Sequence, residues 1–269
     1  MRQPGSSPAI GVFDSGVGGL TVVRRILDRL PTEPVVYLGD TARVPYGTKS
    51  EDTVIRYAQA CAGILLERDI KLLVVACNTA SAYALDALRD TLDVPVLGVI
   101  APGAQYALRT TKNGRIGVIG TEVTIASGSY LAALHAIEPR VEVFCKACPL
   151  FVPLAEEGWT EGDVPQRVAR EYLSGLAARG VDTLVLGCTH YPLLKTTIAG
   201  AMGPGVTLVD SAEATSATVA AVLADLDMAC AGGPVPQHRF LVSDAPETFM
   251  RVGRRFLGRD IDNVEWVDF

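Results

Sequence analysis

Two of the six cysteines in this 269-residue chain close matching runs. Cys77 follows Leu72-Leu73-Val74-Val75-Ala76 and precedes Asn78-Thr79-Ala80-Ser81. Cys188 follows Thr183-Leu184-Val185-Leu186-Gly187 and precedes Thr189-His190-Tyr191-Pro192. Thiols at equivalent ends of two similar units could face each other across one site. That arrangement suits proton transfer at carbon: one thiolate removes a proton from one face, and the opposite thiol returns one to the other. The ordinary explanation is that each is a small buried strand-end residue, because free cysteine is among the most buried residue types. The matched positions, with hydroxyl and amide side chains directly after each, favour the chemical reading.

A branched apolar run bounded by polar residues fits a strand covered on both faces of a parallel sheet. In open α/β sheets ligands sit just beyond the carboxyl ends of such strands. Ala9-Ile10-Gly11-Val12-Phe13 reads as a first strand, followed by Asp14-Ser15-Gly16-Val17-Gly18-Gly19 and a helix over 20–30 stopped by Pro31. The glycines do not make a nucleotide loop: the third position of G-x-G-x-x-G falls on Thr21, no G-x-x-x-x-G-K-[ST] is present, and Asp14 is a poor neighbour for phosphate. They are expected to let the backbone approach a small carboxylate at the helix N-terminus, with positive φ at some of them.

Val35-Val36-Tyr37-Leu38 is a second strand, and Gly39-Asp40-Thr41-Ala42-Arg43-Val44-Pro45-Tyr46-Gly47 a strand-end loop. Thr48 and Glu51 form a capping box for a helix with Val54, Ala58, Cys61, Ala62 and Leu65 on its apolar face, which makes Cys61 a core residue. A helix over 80–92 follows the first cysteine, then strand 96–100 and a helix starting at Pro102-Gly103. Ile116-Gly117-Val118-Ile119-Gly120-Thr121 then repeats Ile10-Gly11-Val12-Phe13-Asp14-Ser15. Ile116 stands 106 positions after Ile10, and Cys188 stands 111 after Cys77. Two motifs recurring in one order argue for a duplicated α/β unit. Strand 141–144 precedes the C-x-x-C of Cys145 and Cys148, for which no further cysteine pair or nearby histidine completes four metal ligands. Glu156 and Glu157 are placed in a loop. A helix capped by Asp163 and Gln166 carries Val164, Val168, Tyr172 and Leu176. A strand over 206–209 leads to a capping box at Asp210 and Glu213, a helix to about 226, a linker over 231–236, a strand over 239–242 and a helix near 249–256.

Hydrophobic residues make up 49% and charged residues 20%, the balance of a globular chain with a full core. The net charge of −6, with no basic block, argues against nucleic acid and anionic membrane as partners. No uncharged run approaches the roughly 18 apolar residues of a membrane helix. The first eight residues lack an apolar leader core, and six cysteines in so long a chain do not suggest a disulfide framework. The expected location is the cytoplasm.

The motifs Gly11-Val12-Phe13-Asp14-Ser15-Gly16-Val17-Gly18-Gly19-Leu20-Thr21-Val22, Asp40-Thr41-Ala42-Arg43-Val44-Pro45-Tyr46-Gly47, Ala76-Cys77-Asn78-Thr79-Ala80-Ser81 and Gly187-Cys188-Thr189-His190-Tyr191-Pro192-Leu193 together resemble the cofactor-independent glutamate racemases of bacterial cell-wall synthesis. The resemblance runs from about Ile10 to Glu213. It implies two pseudo-symmetric parallel-sheet α/β domains, 1–98 plus 210–269 and 99–209, with the active site in the cleft between them. It implies interconversion of L- and D-glutamate for peptidoglycan, no cofactor, no metal and a homodimer. It assigns catalysis to Cys77 and Cys188, with Asp14 assisting Cys77, His190 assisting Cys188 and Glu156 held near that histidine. Substrate binding falls to Asp14, Ser15, Tyr46, Gly47, Asn78, Thr79, Thr189 and His190. Asn78, Thr79 and Thr189 could equally cap helices. His135, His238, Trp159 and Trp266 receive no role. By the same resemblance Cys188 takes the proton from L-glutamate and Cys77 from D-glutamate.

Three other readings remain. A racemase of aspartate would share the cysteine pair. A cysteine amidase or hydrolase would use Cys188 and His190 as nucleophile and base without needing Cys77. A nucleotide-binding module fails on glycine spacing.

Overall fold

The computed structural model describes residues 7–269, so most of the N-terminal stretch examined for a leader lies outside the described residues. Ten strands fall into two parallel sheets: β1 (Ala9–Asp14), β2 (Val35–Gly39), β3 (Ile70–Val75), β4 (Val96–Gly98), β5 (Arg115–Gly120), β6 (Glu142–Ala147), β7 (Thr183–Gly187), β8 (Thr207–Asp210), β9 (Arg239–Val242) and β10 (Val264–Trp266). The first sheet has the order β10-β9-β2-β1-β3-β4 and the second β6-β5-β7-β8. The segment β2-β1-β3-β4 therefore repeats as β6-β5-β7-β8, and the internal similarity seen in sequence is a repeat of topology.

The central strands β1, β3 and β7 are buried along their whole length, which is why they read as continuous apolar runs. In each sheet the chain leaves the first strand on one side for the second and returns on the other side for the third. The crevice between β1 and β3, and its counterpart between β5 and β7, is thus a topological switch point, where ligands bind in such sheets. Phe13 pairs with Val75 and Gly120 with Gly187, so Asp14 and Cys77 flank one crevice and Thr121 and Cys188 the other.

Several local expectations are corrected. The helix expected over 80–92 is two, Asn78–Tyr83 and Leu85–Thr91. Ser81 ties the first to the sheet by donating to the Val75 carbonyl at 2.8 Å and accepting from the Val99 N–H at 3.2 Å. Thr48 does not cap: Tyr46–Thr48 forms its own tight turn, and the helix Glu51–Leu66 starts from Ser50. The expected face Val54, Ala58, Cys61, Ala62 and Leu65 is buried. Helix Asp163–Ala178 begins after Gly162 and buries Pro165, Ala169, Leu173 and Leu176, one position round from the expected stripe. A four-residue spacing fits both stripes, and the smaller residues turn inward while Val164 is left exposed. Glu156 and Glu157 end a helix, Phe151–Glu157, rather than lying in a loop; Pro153 sits in its first turn, where proline is tolerated. The third helix-start signal holds, with Asp210 accepting the Ala212 N–H at 3.0 Å. Strand β10 has too short an apolar pattern to stand out and forms by pairing with β9.

Helix Pro246–Leu257 closes the chain back over the first sheet. Phe249 stacks on Tyr37 of β2 with centroids 5.9 Å apart, and a Cβ on Gly253 would sit 2.7 Å from Leu20.

Candidate active site

Asp14 ends β1 with no exposed surface. Its Oδ2 accepts the Gly16 N–H at 3.1 Å, and the Gly19 N–H at the start of helix Leu20–Arg29 also bonds to it. The anion at this helix N-terminus is therefore the chain's own carboxylate. This corrects the expectation of a ligand carboxylate there, and none of Gly16, Gly18 and Gly19 has positive φ. Burial raises the Asp14 pKa above the ordinary carboxylate value, against the opposing pull of His190, the two N–H groups and Thr189.

Cys77 is the residue before helix Asn78–Tyr83. Its thiol faces the Ser15 hydroxyl at 3.7 Å. Burial first, then the negative charge of Asp14, push this thiol up to about 12; the Ala80 N–H and Ser15 work the other way. The charge of Cys188 also raises it, so the two sulfurs share one electrostatic environment. Each cysteine is 6% exposed.

Cys188 follows β7 and is met by a different set of groups. Its Sγ lies 3.8 Å from His190 Nδ1. The other ring nitrogen, Nε2, is 2.8 Å from Glu156 Oε1. Burial alone would lower the His190 pKa, but the bonds to Cys188 and Glu156 prevail and raise it to about 10. The raised value favours the protonated ring, and in that form Nδ1–H is directed at sulfur and Nε2–H donates to Glu156. A cation beside a thiol favours the thiolate in general.

The halves meet through Thr189 and Gly18. Thr189 Oγ1 donates to Asp14 Oδ1 at 3.4 Å, and the Thr189 carbonyl accepts the Thr21 hydroxyl at 3.0 Å. A Cβ on Gly18 would lie 2.2 Å from Thr189 Oγ1 and 2.5 Å from His190 Nδ1. Glycine is required here by close approach across the cleft. A second seam joins Gly47, whose Cβ would sit 2.9 Å from Thr121 Cβ. Thr79 Oγ1 lies 3.1 Å from Thr121 Oγ1 and 3.0 Å from Thr124 Oγ1.

Asn78 accepts the Tyr130 hydroxyl through Oδ1 at 2.7 Å, while its buried Nδ2 has no partner, a donor pair aimed at no protein acceptor. Tyr46 is buried, but its hydroxyl bonds to Asp40 and to the Cys61 sulfur rather than to Cys77 or Cys188. Tyr46 and Gly47 contribute instead as the opening of a tight turn, where backbone N–H groups lack helical acceptors. The structure thus links Asp14, Ser15, Cys77, Cys188, Thr189, His190 and Glu156 in one cluster, while Asn78 and Thr79, directly after Cys77, bond instead to Tyr130, Thr121 and Thr124.

Thr121, Thr124 and Tyr130 were not picked out from the sequence. Thr121 could have been, because the internal repeat aligns it with Ser15. Thr124 and Tyr130 carry no such sign. Cys145 and Cys148 are both free, Cys145 exposed on β6 and Cys148 buried just beyond it. Among the described residues no group of three or more histidine, cysteine or acidic side chains could hold a metal. Among the described residues no helix is long and apolar enough to cross a membrane.

Comparison with known proteins agrees with this geometry. The Asp/Glu/Hydantoin racemase family model matches residues 10–219. A glutamate racemase of Geobacter metallireducens is 59% identical over 256 residues, 95% of either chain. The crystal structure of a glutamate racemase isoform from Bacillus anthracis superposes with a TM-score of 0.94 at 40% identity, covering 97% of this chain and 98% of that one. The Francisella tularensis glutamate racemase, solved in complex with D-glutamate, gives 0.91 at 38% identity and 97% coverage of both. The chain belongs to the Asp/Glu/Hydantoin racemase family.

Proposed function

We propose, from that membership and from the paired thiols, that the protein interconverts L-glutamate and D-glutamate by proton transfer at the α-carbon, without a cofactor. The observation that carries the reading is the position of Cys77 and Cys188 after equivalent strands of the two sheets, Cys77 within the field of Asp14 and Cys188 beside His190. Likeness over nearly the full chain to glutamate racemases supports glutamate over aspartate. A cysteine hydrolase would leave Cys77 and its surroundings without a use.

In the resting form Cys77 holds its proton, because burial and Asp14 disfavour its thiolate. Cys188 is the base for L-glutamate. His190 balances the charge on that sulfur, and Glu156 keeps the ring protonated and oriented. Cys77 then delivers its proton to the opposite face, giving D-glutamate and the reversed enzyme form, which is the one that accepts D-glutamate. Asp14, with its raised pKa, takes up and returns the proton that Cys77 exchanges.

Substrate carboxylates are met by neutral donors, namely the Ser15, Thr79 and Thr189 hydroxyls, the free Asn78 amide and the N–H groups of Tyr46 and Gly47, with the protonated His190 ring on one side of the cleft. Aimed N–H and O–H groups in a dry site stabilise the charge that develops on the substrate carboxylate as the α-proton leaves. On this reading the described residues up to 98, together with 210–269, make one domain and 99–209 the other. The product supplies peptidoglycan synthesis, the protein works as a homodimer, and six free thiols suit the cytoplasm.

The test is L-glutamate with purified protein in D2O and no additive, followed by circular dichroism and proton NMR. Loss of the dichroic signal with deuterium appearing at the α-carbon is expected. Racemisation of aspartate alone would move the substrate assignment, and no exchange with either would overturn the reading.

A further inference from the structure

The closing helix Pro246–Leu257 belongs to the layer on the first sheet, yet its last turn reaches the acid–base pair of the second half-site. The Phe256 ring meets the His190 ring edge-on, with centroids 5.1 Å apart and planes at 77°. Phe256 is 1% exposed. Arg255 Nη1 donates to the Glu156 carbonyl at 2.7 Å. Gly158, at φ +79, turns the chain directly after Glu157, and a Cβ there would lie 3.0 Å from the Arg255 guanidinium carbon. The guanidinium therefore lies close against the end of the helix that carries Glu156.

We infer that Arg255 and Phe256 are positioning residues for the His190–Glu156 pair, so that the helix covering one sheet fixes the proton donor that serves the cysteine of the other. The inference rests on the racemase reading for its kinetic consequence and on geometry alone for its structural one. Phe256 limits the tilt of the imidazole, and Arg255 fixes the end of the helix from which Glu156 reaches Nε2. A ring held from two sides can keep Nδ1 on Cys188 and Nε2 on Glu156 at once; a ring held from one side cannot. The groups facing His190 are Cys188 and Thr189 from its own segment, Glu156 from helix Phe151–Glu157, Asp14 from β1 and the Phe256 ring from the closing helix, with the charge of Arg255 behind Glu156.

The experiment compares Phe256→Leu and Arg255→Met with Arg255→Lys, which can still donate to the carbonyl, and with Phe249→Leu, a lesion of the same helix that touches Tyr37 instead. Two readouts are taken: the pH profile of kcat/KM for glutamate racemisation, and the NMR titration of the His190 ring, one of three histidines in the chain. In Phe256→Leu and Arg255→Met the alkaline limb and the ring titration should both move toward neutrality by about one unit, a tenfold change in the protonation equilibrium. Arg255→Lys should regain most of the shift. Phe249→Leu should lower Tm while leaving both readouts at their wild-type positions. The inference is overturned if the two variants lose only thermal stability, or if Phe249→Leu moves the limb equally. A wild-type protein that leaves glutamate untouched, with His190 still shifting in the variants, would sink the racemase reading and keep the positioning role.

Discussion

Cys77 and Cys188 follow corresponding strands of a repeated topology, β3 and β7, yet the groups around them have opposite character. Around Cys77 the charged neighbour is a carboxylate, Asp14, locked by N–H groups and a hydroxyl, and the thiol is pushed up to about 12. Around Cys188 the neighbour is an imidazolium whose far side is anchored by Glu156. The scaffold supplies symmetry of position, and the side chains break it. A reaction with an equilibrium constant near one does not require chemically equivalent bases. It requires that kcat/KM be the same in both directions, which unequal groups satisfy as long as each proton received on one side is returned on the other. In the proposed mechanism this asymmetry leaves the resting proton on Cys77.

The strongest way to break this comparison is to remove each thiol in turn. Cys77→Ala and Cys188→Ala should each lower racemisation by more than about a thousandfold, since groups that act as a unit fail together. They should differ in what survives. With Cys188 alone present, the α-proton of L-glutamate should still exchange with D2O; with Cys77 alone, that of D-glutamate. NMR of each pure enantiomer with each variant measures this, and exchange of the same enantiomer by both variants would reverse or dissolve the assignment.

The next contrast replaces the helpers. Asp14→Asn and His190→Asn should each cost about a hundredfold or more, the usual worth of a general acid or base. Only His190→Asn should abolish the alkaline limb. The sign follows from the raised value: the ring is charged below about 10, so activity that depends on the imidazolium is lost as pH rises through that value. Asp14→Asn should keep the limb and change the acid side of the profile. A profile in which Asp14→Asn removes the alkaline limb would mean the wrong half carries the cation.

Much of this contrast was legible in the sequence. Continuous apolar runs ending in Cys77 and Cys188 marked buried parallel strands, and the repeat of Ile10–Ser15 at Ile116–Thr121 marked the duplicated unit. What was not legible depended on distance in space. Glycine spacing in Asp14–Gly19 suggested a ligand cradle, whereas Gly18 is small because Thr189 and His190 press on it from the other half. Tyr46 sits in a site-forming turn, but Asp40 and Cys61 claim its hydroxyl, a partnership no local pattern reveals. Glu156 is set beside His190 by the resemblance but read in a loop, whereas it ends the short helix Phe151–Glu157, whose proline occupies the first turn. Phe256, reaching His190 from 66 positions further along the chain, has no sequence signal beyond being apolar.

The smallest effect expected is at Glu156, and it sharpens the comparison most finely, because the Cys77 side has no equivalent third group. Glu156→Gln keeps an oxygen that can accept from His190 Nε2 and removes the charge. Glu156 is 38% exposed on its side chain, so solvent screens that charge, and the loss should be held to about 1 kcal/mol, or roughly fivefold in kcat/KM. The alkaline limb should shift toward neutrality without disappearing. Stability should follow the same sign. A histidine whose folded value is raised above its ordinary 6.5 stabilises the fold fully below that value and loses the contribution as pH rises through about 10. Urea midpoints of wild type and Glu156→Gln should therefore be furthest apart below pH 6.5 and converge above 10. A gap that instead widens with pH would mean that Glu156 acts on something other than the imidazolium, and the three-member chain from Glu156 to Cys188 would have to be abandoned.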